Sequence, residues 1–486
     1  MTTAQNPEVR KVPNFIGGRL EESTSVRIEE IPNPATGETI ALLPHSSAEE
    51  VGRAVASAKE ALPGWAATPV PDRAQILFRF KRLLEEHIDE LSALITQENG
   101  KTLPEARGEV RRGIEVVDYA CGAPSLLMGG KLQEIARGID QELNRFPVGV
   151  VAGITPFNFP AMIPLWMAPI ALMCGNAFIL KPSQRTPLCS IRLAELAHEA
   201  GFPDGVLTVV HGAADSVNAL ISHPDIAAIS FVGSASVAKY VYEQAAIHGK
   251  RVQALGGAKN HLIVMEDADV DRSVETIIAS AFGNAGQRCL AGSVVVGVGK
   301  VADPLLEKLA EAARALRVGP GNRDDTDMGP VIRQERKQEL ISHITAAASQ
   351  AVLVTDGRTG GPEQGFFLGP TILDRVTTAT NIWKEEVFGP VLAMMRAVDL
   401  DEALNFMNQS SYGNQASIFT ASGKYAREFE RRAEAGMLGI NIGVAAAMAF
   451  FPFTGWKRSF LGDLHATGAD AVRFYTRQKI VTTRWF

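Results

Sequence analysis

Cys289 is the residue best suited to covalent chemistry. It closes the run Gly283-Asn284-Ala285-Gly286-Gln287-Arg288-Cys289. The glycines let backbone approach a reacting atom, and Arg288 is a fixed cation of the kind that favours a thiolate. This context suits a nucleophile, although a cysteine beside an arginine is more often an inert core thiol. Three other segments hold polar groups just after apolar runs: Thr155-Pro156-Phe157-Asn158-Phe159-Pro160, Lys181-Pro182-Ser183 and Phe231-Val232-Gly233-Ser234. In a sheet wound with helices on both faces, ligands bind at the carboxyl ends of the strands. Ser234 can open a helix whose free N–H groups face a phosphate, although the full G-x-G-x-x-G fingerprint is absent. Any one of these segments reads as turn chemistry; three at successive strand ends read as a binding edge.

The elements that must position these residues are legible as patterns. Apolar runs at 148–154, 177–180, 206–210 and 226–232, separated by helical stretches, predict buried parallel strands in a doubly wound βα domain. A second set at 294–298, 352–354, 371–373, 391–395 and 417–419 predicts a second α/β domain. Before both, Ser46 with Glu49 and Ser47 with Glu50 each fit a capping box, followed by apolar Val51, Val55, Ala58 and Leu62. A second helix from about Asp72 places Ile76, Phe80, Leu84 and Ile88 on one core-facing side. The end of the chain, 472–486, reads as strand without helical period and needs a partner element or subunit.

Composition narrows the class. Of 486 residues, 46% are hydrophobic and 21% charged, a globular mixture, and the length implies two domains plus oligomerisation structure. A net charge of −6 gives no basic field for nucleic acid. Residues 1–10 are polar, and no apolar stretch is long enough for a membrane span, so a cytoplasmic protein is expected. Cys121, Cys174, Cys189 and Cys289 form no C-x-x-C pair and no cluster with histidine, so neither a disulfide framework nor a metal site is expected.

Together these residues resemble the aldehyde dehydrogenase superfamily over essentially the whole chain. Gly257-Ala258-Lys259-Asn260-His261, Gly286-Gln287-Arg288-Cys289, Met448-Ala449-Phe450-Phe451-Pro452-Phe453 and Phe474-Tyr475-Thr476 resemble its CoA-acylating methylmalonate-semialdehyde (malonate-semialdehyde) branch. The resemblance implies a doubly wound NAD-binding domain (1–125 and 148–254) and a second α/β catalytic domain (255–445). It also implies a β-ribbon oligomerisation arm with a C-terminal strand (126–147 and 446–486), in a homotetramer. It implies that Cys289 attacks the aldehyde, with the oxyanion held by the Asn158 amide and the Cys289 backbone N–H. NAD is then the hydride acceptor and coenzyme A the co-substrate. Lys181 meets the adenosine ribose, Ser234 the pyrophosphate and Glu386 the nicotinamide ribose, while Thr155, Phe157, Gln184, Arg185 and Gly256 line the same cleft. Arg112 and Arg288 match positions that bind a substrate carboxylate, for which a bidentate guanidinium is well shaped. Phe159, Trp166, Phe282 and Phe450 are candidates for the substrate tunnel, though such aromatics are commonly core.

Departures from the pattern matter as much. Hydrolytic members carry a glutamate base where this chain has Leu255, or Ala254 in the alternative alignment. Thiol and water differ in acidity by roughly 7 pKa units, about 10 kcal/mol, so losing the base favours a thiol acceptor over water. Gln184 replaces a glutamate that commonly repels a 2′-phosphate, which weakens the case against NADP, although NAD is favoured. Alanines at 445–447 stand where the family usually carries prolines, and Gln415 where a glycine is common. The competing readings are a hydrolytic NAD-dependent aldehyde dehydrogenase releasing a free acid, and a non-catalytic protein that retains the fold.

Overall fold

The computed structural model describes residues 9–486, so the expectation for the opening segment 1–10 falls largely outside the described residues. The first four apolar runs form the strands Val150–Ile154, Ala177–Lys181, Leu207–Val209 and Ile226–Val232. Their side chains are buried almost throughout, which is why the runs are continuous rather than alternating. Across the sheet the parallel order is Leu207–Val209, Ala177–Lys181, Val150–Ile154, Ile226–Val232 and Arg251–Leu255. Chain progression therefore reverses between Val150–Ile154 and Ile226–Val232, and a crevice opens at their carboxyl ends. Asn14–Ile16 and Arg19–Glu21 extend one edge antiparallel, and Phe460–Leu461 caps the other edge against Arg251–Leu255.

A second sheet has the order Val352–Thr355, Thr371–Asp374, Val391–Ala397, Gly292–Val298, Asn260–Val264, Gln415–Phe419 and Met437–Ile440. All its pairings are parallel except the first. Asn260–Val264 and Met437–Ile440 are additional to the strands read from the sequence. The two sheets have separate hydrophobic cores.

The third layer is a ribbon of Gly130–Ala136, Ile139–Pro147 and Thr476–Arg484, with Thr476 opposite Pro147 and Arg484 opposite Ile139. The C-terminal strand thus finds a partner within its own chain. One correction applies: 472–474 is not strand but the end of the helix Gly468–Phe474, whose Val472 and Phe474 are buried. Of the two capping boxes that fit residues 46–50, the structure uses Ser47 with Glu50. The second helix runs Val70–Glu86 with Phe80 and Leu84 buried, while Ile88 begins the next helix, Ile88–Asn99. Among the described residues no helix is long and apolar enough to cross a membrane. Nor is any group of three His, Cys, Asp or Glu side chains placed to hold a metal ion.

Candidate active site

The loop carrying Cys289 is held in an uncommon backbone shape. Where the helix Val270–Phe282 ends, Asn284, Ala285 and Gly286 adopt left-handed φ values of 52°, 50° and 70°. For Asn and Ala this costs roughly 1–2 kcal/mol each. The cost is offset by bonds to neighbouring elements. The Asn284 N–H donates to Glu105 (2.7 Å), and Ile332 N–H donates to the Gln287 side chain (3.0 Å). The Asn284 amide donates to the carbonyls of Gln287 (3.2 Å) and Asn158 (3.3 Å). Gly286 cannot be replaced without a clash, because a Cβ there would collide with the Gly389 carbonyl. Beyond the turn, the Cys289 carbonyl accepts from the amides of Asn260 and Asn414, both at 2.9 Å, so the peptide plane after the nucleophile is fixed.

Asn158 follows the strand Val150–Ile154 and is 3% exposed. Its Nδ2 donates to the Gln287 carbonyl at 3.0 Å, which commits one N–H and leaves a second for another acceptor. Lys101 Nζ supports Asn158 from behind, donating to its carbonyl (2.7 Å) and to Glu109 (2.5 Å). Glu109 in turn accepts from Ala161 and Met162 N–H at the start of the helix Met162–Met173.

Cys289 is partly exposed and lies where two clefts meet. The thiolate expected from the Arg288 neighbour is corrected by the structure. Burial and the Glu386 carboxylate push the thiol up to about 12, outweighing Arg288 and the N–H groups of Cys289 and Leu290. Arg288 is also already engaged, ion-paired to Glu105 at 2.6 Å.

The first cleft is lined by Phe157, Ser234, Gly256, Glu386 and Phe388. It leads past Ser234 into a groove lined by Thr155, Lys181, Gln184, Val217 and Val237. Ser234, which lines both cleft and groove, is the N-cap of the helix Ala235–Ile247 but makes no side-chain capping bond, so the first-turn N–H groups have no side-chain acceptor from the cap and suit an anion. Lys181, 4% exposed, makes no hydrogen bond through its ammonium among the described residues, and burial lowers it to about 8. Glu386 accepts from Ala258 N–H at 2.9 Å, and burial raises it to about 7. Gly257 leaves room for the Glu386 carboxylate, which a Cβ there would force to shift. Arg185 does not line the cleft: it pairs instead with Glu29 on the strand Ile28–Pro32, which also bonds His45 at 3.1 Å.

The second cleft is lined by Arg112, Phe159, Trp166, Arg288 and Phe453. Arg112 donates to Glu115 (2.7 Å) and to the Ala447 carbonyl (2.6 Å). Of the expected tunnel aromatics, Phe159 and Trp166 are in place. Phe282 is instead core at 2% exposed, and Phe450, 60% exposed, packs edge-on against Tyr119. Phe453, tilted against Trp166 at 4.7 Å, takes part instead. Glu105, Glu109 and Arg112 lie on one face of the helix Leu103–Cys121, opened by a Thr102–Glu105 capping box. That box and the i, i+4, i+7 spacing were the available signals for Glu105 and Glu109. His261, from the motif at 257–261, is structural: buried between the Lys259 carbonyl and Trp383, it is lowered to about 3 and stays neutral.

A thiol that shares one cleft with the Asn158 amide and another with Arg112 and Arg288 has the groups that acyl transfer from a small acidic carbonyl compound requires. Comparison with known proteins agrees with this chemistry. The profile of the aldehyde dehydrogenase family matches residues 21–481. Malonate-semialdehyde dehydrogenase 2 of Geobacillus kaustophilus is 56% identical over 480 residues, covering 98% of this chain and 99% of the relative. The crystal structure of methylmalonate-semialdehyde dehydrogenase from Oceanimonas doudoroffii superposes with a TM-score of 0.97 at 47% identity, over 98% of this chain and 99% of that one. A Sinorhizobium meliloti 1021 protein assigned as a methylmalonate-semialdehyde dehydrogenase, in complex with NAD, gives 0.98 at 44% identity over 99% of both chains.

Proposed function

Because the chain belongs to the aldehyde dehydrogenase family, we propose that it is an NAD-dependent, CoA-acylating malonate- or methylmalonate-semialdehyde dehydrogenase. The observation that carries the reading is the position of Cys289 between a dinucleotide-shaped cleft and a cleft bearing Arg112 and Arg288. Full-length relatives of that name support it.

The residues present fit NAD. The uncapped helix start at Ser234 suits the pyrophosphate, the unpaired Lys181 ammonium suits the adenosine ribose, and Glu386, seated over Gly257, suits the nicotinamide ribose. Thr155, Phe157, Gln184 and Gly256 shape the walls. When bound, NAD supplies the hydride acceptor.

The chain's own groups do the rest. The Cys289 thiol gives up its proton to solvent as its sulfur adds to the aldehyde carbon, and the carbonyl electron pair moves to oxygen. There the free Asn158 N–H and the Cys289 backbone N–H hold it. Collapse of that oxyanion expels hydride from carbon and leaves a thioester on Cys289. With a malonate-type substrate, the carboxylate β to the thioester carbonyl leaves as CO2 and its electron pair enters an enolate, which takes up a proton. Attack by the thiol of coenzyme A then releases acetyl-CoA or propionyl-CoA and returns the Cys289 sulfur. Leu255 is 4% exposed at the end of Arg251–Leu255 and cannot activate water, which supports a thiol as the acceptor. Arg112 and Arg288 orient the substrate carboxylate, each exchanging an internal acidic partner, Glu115 or Glu105, for the ligand. The ribbon formed with Thr476–Arg484 exposes Leu132, Ile135, Ile480, Val481 and Trp485, which supports assembly with further copies, read as a homotetramer.

The test is NADH formation from methylmalonate semialdehyde and from propanal, each with and without CoA, with the product weighed by mass spectrometry. CoA-dependent propionyl-CoA formation is expected; full turnover to a free acid without CoA would overturn the acylating reading.

A further inference from the structure

The wall of the second cleft opposite the helix Leu103–Cys121 is the segment 443–448, which has no regular secondary structure and carries Ala445, Ala446 and Ala447 in a row. Val444 and Ala446 face the cleft, and the Ala447 carbonyl is the one that Arg112 grips. Consecutive alanines bring neither bulk nor restricted φ to hold such a path, so its position must be set from outside.

The group that sets it is Gln415, the first residue of the strand Gln415–Phe419, with a side chain only 2% exposed. Its Nε2 donates to the Leu290 carbonyl at 3.0 Å and to the Gly443 carbonyl at 3.1 Å. Its Oε1 accepts from the Ala445 N–H at 2.7 Å. Its backbone N–H donates to Asn260 Oδ1 at 3.1 Å, and the amide of that asparagine holds the Cys289 carbonyl. One side chain therefore joins the residue next to the nucleophile to the wall that carries the partner of Arg112.

We propose that Gln415 is a positioning residue that sets the geometry between Cys289 and the arginine-bearing wall, and that Gln415 and Ala445 are a matched pair. The 2.7 Å bond exists only because residue 445 has an N–H, which proline lacks, and because residue 415 has a side-chain acceptor, which glycine lacks. Changing either alone strands a buried polar group. Changing both removes the donor and acceptor of the 415–445 bond together, leaving only the Leu290 and Gly443 carbonyls without their donor, and the fixed φ of proline restrains the wall in place of the bond. The proposal rests on the reading of this cleft as the carboxylate subsite.

The experiment is a double-mutant cycle of Gln415→Gly and Ala445→Pro, read as KM and kcat for malonate semialdehyde and for propanal. Ala445→Pro is expected to raise KM for the semialdehyde roughly tenfold, the value of one buried hydrogen bond, and Gln415→Gly, which removes three, at least as much, while kcat for propanal stays within about threefold. The double variant is expected to lose less than the product of the two single effects. Multiplicative losses, or equal losses on both substrates, would overturn the pairing. Gln415→Glu serves if either single variant fails to fold, because an ionised carboxylate cannot donate to Leu290 and Gly443. Its KM relative to the parent protein should climb at least about fivefold from pH 6 to 8.5 as the buried carboxyl ionises, and a flat ratio would overturn the proposal. Arg112→Ala separates the two levels: if it leaves the preference for the semialdehyde over propanal unchanged, the subsite reading fails, whatever the cycle shows.

Discussion

Alkylation of Cys289 by iodoacetamide in the absence of dinucleotide measures how far its surroundings suppress the thiolate. With the thiol held at about 12, only roughly 0.01% is ionised at pH 8, against about 24% for an exposed cysteine near ~8.5. That is a deficit of about 2,400-fold. The more basic thiolate is intrinsically more reactive, by about 40-fold across a pKa gap of roughly 3.5 at a Brønsted slope of ~0.45. Cys289 should therefore react roughly 60-fold more slowly than an exposed cysteine. The sign with pH follows directly: below about 12 each added pH unit raises the thiolate tenfold, so the logarithm of the rate should climb with unit slope from pH 8 to 10. Near neutrality the slope should dip, because Glu386 ionises around 7 and places a negative charge beside the sulfur. Glu386→Gln should remove that dip and speed alkylation at pH 8. Cys121, Cys174 and Cys189 are buried, so the Cys289 peptide is followed by mass spectrometry. A rate that levels off by pH 8.5, or a slower Glu386→Gln variant, would refute the electrostatic reasoning.

Further expectations concern specificity. Arg112→Ala should raise KM for malonate semialdehyde roughly 10- to 100-fold, as expected for losing a charge-assisted bond, and leave propanal within about threefold; equal losses would count against the carboxylate role. Leu255→Glu puts a carboxylate where burial keeps it basic, so a free acid should form without CoA; its absence in a folded variant that still makes NADH would show that residue 255 does not face the thioester. Glu29→Gln frees Arg185 near the Lys181 groove and should shift kcat/KM toward NADP over NAD by roughly tenfold, and an unchanged ratio would show that Arg185 does not reach the 2′ position.

The sequence alone carried the parts of this protein that depend on local pattern. Apolar runs at 148–154, 177–180 and 226–232 announced buried strands, and the polar residues just after them could be assigned to the ligand edge, because a parallel sheet binds at its carboxyl ends whatever the details. Cys289, Asn158, Ser234, Glu386, Arg112 and Arg288 could be singled out through residue type and family resemblance, and the structure brings them to the two clefts that share Cys289. What the sequence could not hold is the balance of charges and bonds between distant segments. Arg288 adjoins Cys289 along the chain, but in space it pairs with Glu105, and its pull on the thiol is outweighed by burial and Glu386. Arg185 likewise belongs to Glu29, 156 residues away. Phe453 lines the cleft where Phe282 and Phe450 were expected, because packing between segments distant in sequence, not aromaticity, decides which ring faces the gap. Gln415 read as a bare departure from a pattern, and only the fold shows it spanning Leu290 and Ala445, since a hydrogen bond between segments far apart in sequence leaves no periodic trace in either.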